Sequence, residues 1–462
     1  MVNKDSPWRQ RSEIHAIAEF SPELELEMER LDKEFWIPGQ KLKEIVKRFI
    51  EELDEGLQEN NKNIPMNISW VHSLPTGNEK GTYLTLDLGG TNLRVCKVTL
   101  HGNETDPATP EKKYTLDQEQ YRVPQELKSG SAEQLWTYIA EKLQTFLQEK
   151  GLDKEYSKDK PMPLGFTFSY PATQDKIDHA VLQTWTKGFD IKGVEGQDAA
   201  AQLREKIKEK GLPLEIVCVI NDTVGAMIAS AYNDHATIVG AIFGTGCNAA
   251  YMASLPSIKK LSSSDPRLRP QDPNANTNKN GEGEKMAINC EYGAFDNARR
   301  VLPITKYDEE IDKESPRPGE QAFEKLSAGL YLGEVFRLVF IDLADRGFLF
   351  ANQDTKGLRK PYILDTGFLS QIEDDESPNA INTRNLFRDT LDLSLSDQEV
   401  EVSRRVAELV AFKKRWARAL GEVLEWGERK EGEDPIIITS AEDGSGVGCA
   451  IIAAIEMERR GR

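Results

Sequence analysis

Apolar residues recur at helical spacing over long parts of the chain. Val402, Val406, Leu409, Val410, Trp416, Leu420, Val423, Leu424 and Trp426 follow one another at roughly three to four positions, and Ser396 with Glu399 forms a capping-box pair ahead of them. The pattern predicts one unbroken helix, far longer than the usual ~11–12 residues. It lacks the heptads of a coiled coil and an apolar run long enough for a membrane. Residues 21–58 mix charges with Leu42, Ile45, Val46, Phe49, Ile50 and Leu53, which predicts an amphipathic helical arm. Residues 131–150 read as helix, and helices dominate from about 320 to 427.

Elsewhere the period shortens to that of strands. Tyr83 to Leu100 reads as strand, glycine turn, strand, and "PMPLGFTFSYPA" as a buried strand ending at Pro171. "PLEIVCVINDTVGAMIASAY" predicts strand, turn and helix, and "TIVGAIFGTGCNAAYM" again strand, glycine turn, strand. The tail predicts a strand at "PIIIT", a turn at "SAEDGSGVG" and a helix at "CAIIAAIEMERR". Residues 261–284 are polar and rich in Pro, Asn and Gly, the composition of a surface loop. "LDLGGTN" (86–92) and "IFGTGCN" (242–248) echo each other: each ends a strand, turns on glycines, finishes on Asn and enters a second strand. Alternating strands and helices with this echo predict an α/β protein with two similar half-sheets facing one another.

Composition narrows the picture. The chain has 462 residues, 39% hydrophobic and 29% charged, enough for two or three domains with a sizeable core. A net charge of −18 argues against a nucleic-acid or anionic-membrane partner, though a local site can still hold a nucleotide. Cys96, Cys218, Cys247, Cys290 and Cys449 make no CxxC pair and are odd in number, which fits buried thiols in a reducing compartment such as the cytoplasm. The N-terminus has no apolar signal core.

The candidate chemistry sits in the turns. Gly89 and Gly90 let the backbone turn tightly, and successive N–H groups there make an anion-binding nest. Thr91, Asn92 and Arg94 add donors and charge, and Asp87 at the strand end is placed to hold a hydrated Mg²⁺ beside a phosphate. The flanks are strand and strand, which excludes a P-loop. Gly244, Thr245 and Gly246 offer a second nest. Asp222, at the start of a helix whose dipole favours negative charge, is a candidate general base, with an ordinary N-cap as the alternative. "EDGSGVG" could be read as a dinucleotide fingerprint, but its spacing is GxGxG and little chain follows it. Polar residues able to hold a polyol are Ser169, Thr186, Lys187, Asn221, Glu291 and Glu324.

Taken together, "LDLGGTNLRV", "LGFTFSYPATQ", "WTKGFDI", "INDTVG", "FGTGCNAAYM", "AINCEYGAFDN", "SPRPGEQAFEKLSAGLYLGE" and "AEDGSGVG" resemble eukaryotic hexokinases in content and order, most of all those of fungi. The resemblance runs from about residue 40 to 410 and resumes to about 455. It implies an actin-like (ribonuclease H-like) fold of two lobes around a central cleft. It divides the chain into an arm at 1–75, a small lobe at 76–221, a large lobe at 222–448, and a C-terminal helix, 449–462, returning to the small lobe. It implies ATP with Mg²⁺ and a hexose, glucose first, as substrates. It assigns Ser169, Thr186, Lys187, Asn221, Asn248, Glu291 and Glu324 to the sugar, Asp222 to the base that takes the 6-hydroxyl proton, and Asp87 to Asn92 with Thr245 to the phosphates.

The long helix now has a meaning. In the family a further helix, a strand and a nucleotide-supporting turn separate "RRVAELV" from a helix like "FKKRWARALGEVLEW". Here Val410 runs straight into Ala411, so a segment is absent and two family helices are fused. The family usually has a basic residue where Ile304 stands. Two functional readings follow: a working hexokinase, or a hexose-binding regulator whose nucleotide site is impaired. A third is that the true protein carries the missing segment.

Overall fold

The computed structural model describes residues 18–90, 92–102, 113–186, 189–261, 284–410 and 444–462. The predicted loop at 261–284, the strand "PIIIT" and the join after Val410 fall almost wholly outside these residues. The described residues form two compact units, one within Met1–Glu51, Phe243–Gly246 and Gly293–Pro435, the other within Glu52–Ile242, Cys247–Tyr292 and Ile436–Arg462.

The predicted arm is two helices, α1 (Pro22–Phe35) and α2 (Gly39–Gln58). The break falls before Pro38, which cannot donate a backbone hydrogen bond and biases Ile37 away from helical backbone. Ser21 caps α1 by accepting from the Leu24 N–H, and Pro22 sits at the first helical position, where its missing N–H does no harm.

The second unit holds both larger sheets. In chain order come β1 (Asn67–Ile68), β2 (Lys80–Leu88), β3 (Asn92–His101), β4 (Tyr114–Arg122), α3 (Ala132–Glu149), β5 (Met162–Phe168), a small pair β6 (Ala172–Thr173) and β7 (Val181–Leu182), α4 (Ala199–Glu209), β8 (Leu214–Ile220), α5 (Asp222–Asn233), β9 (Val239–Phe243), β10 (Cys247–Ser254) and β11 (Lys285–Asn289). One sheet has the order β4-β3-β2-β5-β8, the other β1-β11-β10-β9. The echo between the two glycine turns is therefore structural: each joins the first two strands of a three-strand run, β2-β3-β4 in one sheet and β9-β10-β11 in the other.

Burial explains the apolar runs. Leu84, Leu86 and Leu88 of β2 pack with Trp136, Ile139, Leu143 and Phe146 of α3 and with Phe166 and Phe168 of β5 in one core. Each such side chain contributes about 1.5–3 kcal/mol by leaving water. Ser131 and Gln134 close α3 with a reciprocal capping box.

The first unit is helical: α6 (Lys306–Glu314), α7 (Ala322–Ser327), α8 (Gly329–Asp345), α9 (Thr366–Glu373), α10 (Ile381–Leu391) and α11 (Asp397–Val410). Phe336 stacks on Phe340 and Phe368 meets Phe387 edge-on in its core, where α1 adds Leu24, Met28 and Leu31. The predicted capping box of α11 is present: Ser396 N donates to Glu399 Oε2 at 2.7 Å and Glu399 N to Ser396 Oγ at 3.3 Å.

Back in the second unit, α12 (Gly444–Arg459) packs across β2, β5 and β8 and against α5. It starts five residues earlier than the predicted helix, so the glycines of "EDGSGVG" lie in it. A Cβ on Gly448 would stand 1.9 Å from the Gly225 carbonyl oxygen of α5, so these glycines permit helix contact and make no dinucleotide loop.

Candidate active site

β2 runs parallel to β5 with Leu88 opposite Phe168, and β5 parallel to β8 with Thr167 opposite Ile220. The residues at the carboxyl ends of these strands, Asp87, Ser169, Asn221 and Asp222, therefore reach one edge of the sheet, where open α/β sheets bind ligands. Asp87 is buried. Its Oδ1 accepts from Ser169 Oγ at 3.4 Å and its Oδ2 from Ser445 Oγ at 2.7 Å. Arg94 stands opposite it in the β2–β3 ladder. Ser445 was not singled out in the sequence, although it lies within the quoted "EDGSGVG".

The glycine turn between β2 and β3 is held on several sides. Gly89 N donates to the Asn92 carbonyl at 3.1 Å, closing the turn. The Gly89 carbonyl accepts from the Tyr170 hydroxyl at 3.0 Å and the Gly90 carbonyl from Lys128 Nζ at 2.8 Å. Burial, then the charges of Asp87 and Asp222, push the Tyr170 phenol well above its ordinary pKa, so it stays a donor. Thr91 lies outside the described residues.

The N-cap that the sequence offered to Asp222 falls to Asn221. Asn221 is the N-cap of α5: its side-chain oxygen accepts from Thr223 N at 2.9 Å and Thr223 Oγ1 at 2.6 Å. Asp222 is the first helical residue, half-buried, with Oδ1 accepting from Thr223 N at 2.9 Å. The N-cap alternative for Asp222 is thus taken by its neighbour.

Three amides converge on one oxygen of Glu291. Asn289 Nδ2 reaches Oε1 at 2.8 Å, Asn248 Nδ2 at 3.1 Å and Asn221 Nδ2 at 3.5 Å. Asn248 Oδ1 in turn accepts from the Glu291 N–H at 2.8 Å. Glu291 has φ +57°, a left-handed backbone that costs a non-glycine residue on the order of 1–3 kcal/mol and persists where surrounding bonds impose it. Burial, then the Glu291 charge, push the neighbouring Cys290 thiol up to about 12. Asn289 was missed in the sequence; its signal was its place two residues before Glu291, on a strand of period two.

Thr186 is half-buried and follows Trp185, whose ring meets that of Tyr170 edge-on at 4.7 Å; Lys187 lies outside the described residues. Thr245 and Glu324 belong to the first unit. There the Gly244 carbonyl accepts from Gly329 N at 2.7 Å, the Thr245 carbonyl from Leu330 N at 3.4 Å, and a Cβ on Gly246 would stand 2.6 Å from Glu324 Oε2.

A buried strand-end carboxylate flanked by hydroxyls suits a hard cation shared with a phosphate. Among the described residues no cluster of three or more His, Cys, Asp or Glu could hold a metal alone, so such an ion would rely on phosphate oxygens and water. All five cysteines are buried and none is in a disulfide. Among the described residues no helix is long and apolar enough to cross a membrane.

Two strand–glycine turn–strand units, with a carboxylate at a helix start beside the carboxyl ends of β2, β5 and β8, mark an actin-like α/β fold of the phosphoryl-transfer class. Comparison with known proteins gives the family. Two hexokinase family models match residues 27–232 and 238–415. The chain is 46% identical to the hexokinase of Emericella nidulans over 92% of this chain and 89% of that one. It is 40% identical to hexokinase-1 of Saccharomyces cerevisiae over 98% and 96%. A solved hexokinase from Schistosoma mansoni, in complex with glucose, superimposes with a TM-score of 0.77 at 31% identity, covering 93% of this chain and 98% of that one. The chain belongs to the hexokinase family, and its sequence is closely similar to the fungal members. It is an ATP-dependent hexose kinase.

Proposed function

We propose that this chain moves the γ-phosphoryl group of Mg-ATP to the 6-hydroxyl of glucose, with Asp222 as the base. In this reading the Asp222 carboxylate takes the hydroxyl proton as the oxygen attacks the γ-phosphorus. The new O6–P bond forms, the bond to the β-phosphate oxygen breaks, and ADP leaves. Ser169, Asn221, Asn248 and Glu291, with Thr186 and Lys187, hold the sugar. The turn carrying Asp87, Gly89, Gly90, Thr91 and Asn92, with Arg94 beside it, holds the phosphates. The resemblance adds Glu324 to the sugar set and Thr245 to the phosphate set. Mg²⁺, when bound, would neutralise charge on the transferring group, and Asp87 is the residue to hold it. The protein's own work is to orient the hydroxyl, accept its proton and exclude water, so that sugar rather than water is phosphorylated.

The observation that carries the reading is the joint supply of Asp222 and Asn221 by one strand end. The first opens the helix, and the N-cap is its neighbour. The second belongs to the amide set that orients Glu291. Hexokinases matched over nearly their whole length favour turnover over the regulator reading.

We keep the missing segment as part of this proposal. The second family model ends at residue 415 of a 462-residue chain. The alignment with the Emericella nidulans relative runs over 465 positions while taking in 92% of this chain, so positions of the relative have no counterpart here. The division into arm, small lobe, large lobe and returning C-terminal helix, and a cytoplasmic location, belong to the same reading. Buried thiols in no disulfide support that location.

The test is Mg-ATP-dependent phosphorylation of glucose by the purified chain, with Asp222→Ala beside it. Turnover that vanishes in the variant while glucose binding persists is expected. A folded wild-type chain that binds glucose without turnover would overturn the catalytic reading in favour of the regulator.

A further inference from the structure

Both glycines of the β2–β3 turn have their carbonyl oxygens tied down, by donors from two separate parts of the chain. Tyr170, just after β5, donates its hydroxyl to the Gly89 carbonyl at 3.0 Å, and Lys128, before α3, donates Nζ to the Gly90 carbonyl at 2.8 Å. No cis peptide bond occurs among the described residues. In a trans peptide the C=O and the following N–H point in opposite directions. Fixing the Gly89 carbonyl therefore aims the Gly90 N–H the other way, and fixing the Gly90 carbonyl holds that residue on its other side. Backbone N–H groups held in a set direction are what an anion nest is built from.

We propose that Tyr170 and Lys128 are positioning residues for the phosphate turn, pinning the Gly89 and Gly90 carbonyls so that the Gly90 N–H between them faces the nucleotide. Glycine makes such anchors necessary, because the residue that lets the backbone approach a phosphate also leaves it the most conformational freedom to lose. Each anchor is itself braced. The Tyr170 ring sits edge-on to Trp185 at 4.7 Å and to Phe189 at 5.4 Å. Lys128 Nζ lies 5.2 Å over the Phe189 ring, and its own carbonyl accepts from Asp190 N at 2.7 Å. The same two side chains thus join the phosphate turn to the segment 185–190, which carries Thr186. Burial, then the nearby Arg122 charge, lower the Lys128 pKa, in opposition to the carbonyl and the ring face, which favour the cation.

The inference rests on reading the turn as the phosphate site, and the experiment separates the two. Steady-state kinetics on the full chain, varying Mg-ATP at saturating glucose and the reverse, would be run for Tyr170→Phe, Lys128→Met, Lys128→Arg and Asp87→Asn. Tyr170→Phe keeps the ring stack and loses only the hydroxyl; Lys128→Met keeps the stem and loses the donor. Loss of one such hydrogen bond predicts a KM for ATP raised about three- to tenfold in each, with the KM for glucose within about twofold of wild type. Lys128→Arg, which keeps a donor, restores most of the loss. Lys128 is only half-buried, so its pair of variants carries the test alone should Tyr170→Phe fold poorly. An unchanged KM for ATP in Lys128→Met, or an equal rise for both substrates, overturns the inference. Should Asp87→Asn cripple ATP use in that same case, the phosphate turn stands and only the anchoring role falls. If Asp87→Asn also leaves ATP use intact, the reading of the turn itself has failed.

Discussion

Glu291 and Asp375 are both carboxylates in dense hydrogen-bond settings, one in each unit, and they are built in opposite ways. Asp375 is satisfied by near neighbours in sequence: Ser377 N at 2.9 Å and Ser377 Oγ at 2.5 Å on one oxygen, Thr383 N at 2.8 Å and Thr383 Oγ1 at 2.6 Å on the other. Glu291 gathers amides from Asn221 and Asn248, 70 and 43 residues away, and from Asn289. The first arrangement staples a loop between two helices and is complete in itself. The second forms only once three strands have met, and all three amides share one oxygen. The local cluster ties down its own loop, whereas the long-range one gathers residues that the proposed function gives to the sugar.

Substitutions can break that contrast, and the largest effect belongs to the chemistry itself. Asp222→Ala is expected to lower kcat by about 10²–10⁴, the usual worth of a positioned general base, with glucose affinity kept. A coupled assay for glucose 6-phosphate alongside tryptophan fluorescence on glucose addition would read both. Next comes Asn289→Ala. It removes one amide from Glu291 Oε1 and the acceptor of Asn248 Nδ2 at 2.7 Å. A loss of about 1–3 kcal/mol in glucose binding is expected, seen as a raised KM for glucose with the KM for ATP little changed.

Asp375→Asn sharpens the comparison from the other side. Burial alone would raise the Asp375 pKa, but the bonds from Ser377 and Thr383 outweigh it and bring it to about 2. A carboxylate depressed in the folded state stabilises in full above its ordinary pKa of about 4, and that contribution disappears as pH falls through about 2. The variant should therefore lose about 2 kcal/mol of stability at pH 7, with the gap from wild type closing in acid. Urea unfolding at pH 7 and near pH 3 measures this, while both KM values stay at wild type. The smallest effect is expected for Lys62→Ala. Glu59 and Lys62 form a local ion pair at 2.8 Å, yet Glu59 is exposed and Lys62 only half-buried. Melting curves should superimpose with wild type, because exposed pairs contribute little. A measurable shift would mean that locality rather than burial gives the Asp375 cluster its worth.

Much of this was readable from the sequence where the cause is local. The capping boxes at Ser131 with Gln134 and at Ser396 with Glu399 close over three residues. The glycine turn at 89–92 is set by the steric freedom of two residues between two alternating runs. Asn221 and Asp222 announce a strand end and a helix start. The arm at 21–58 was read as continuous because charge alternation masks the break that Pro38 makes. Asn289 had only its place two residues before Glu291 as a local signal, and Ser445, Tyr170 and Lys128 had none. Their partners are Glu291 and Asn248, Asp87, Gly89 and Gly90, and all but the first pair lie tens of residues or more apart.

The sequence by itself determined the α/β class, the family and the two glycine turns, because these rest on periodicity, turn sterics and motif order. Only the tertiary structure decided which donors serve which carbonyl and which carboxylate. It turned "GSGVG" from a possible nucleotide loop into a helix face against Gly225, and it gave the N-cap to Asn221 rather than Asp222. Hydrogen bonds depend on separations of a few tenths of an ångström between groups brought together by sheet register and helix packing, and no spacing along the chain encodes those distances.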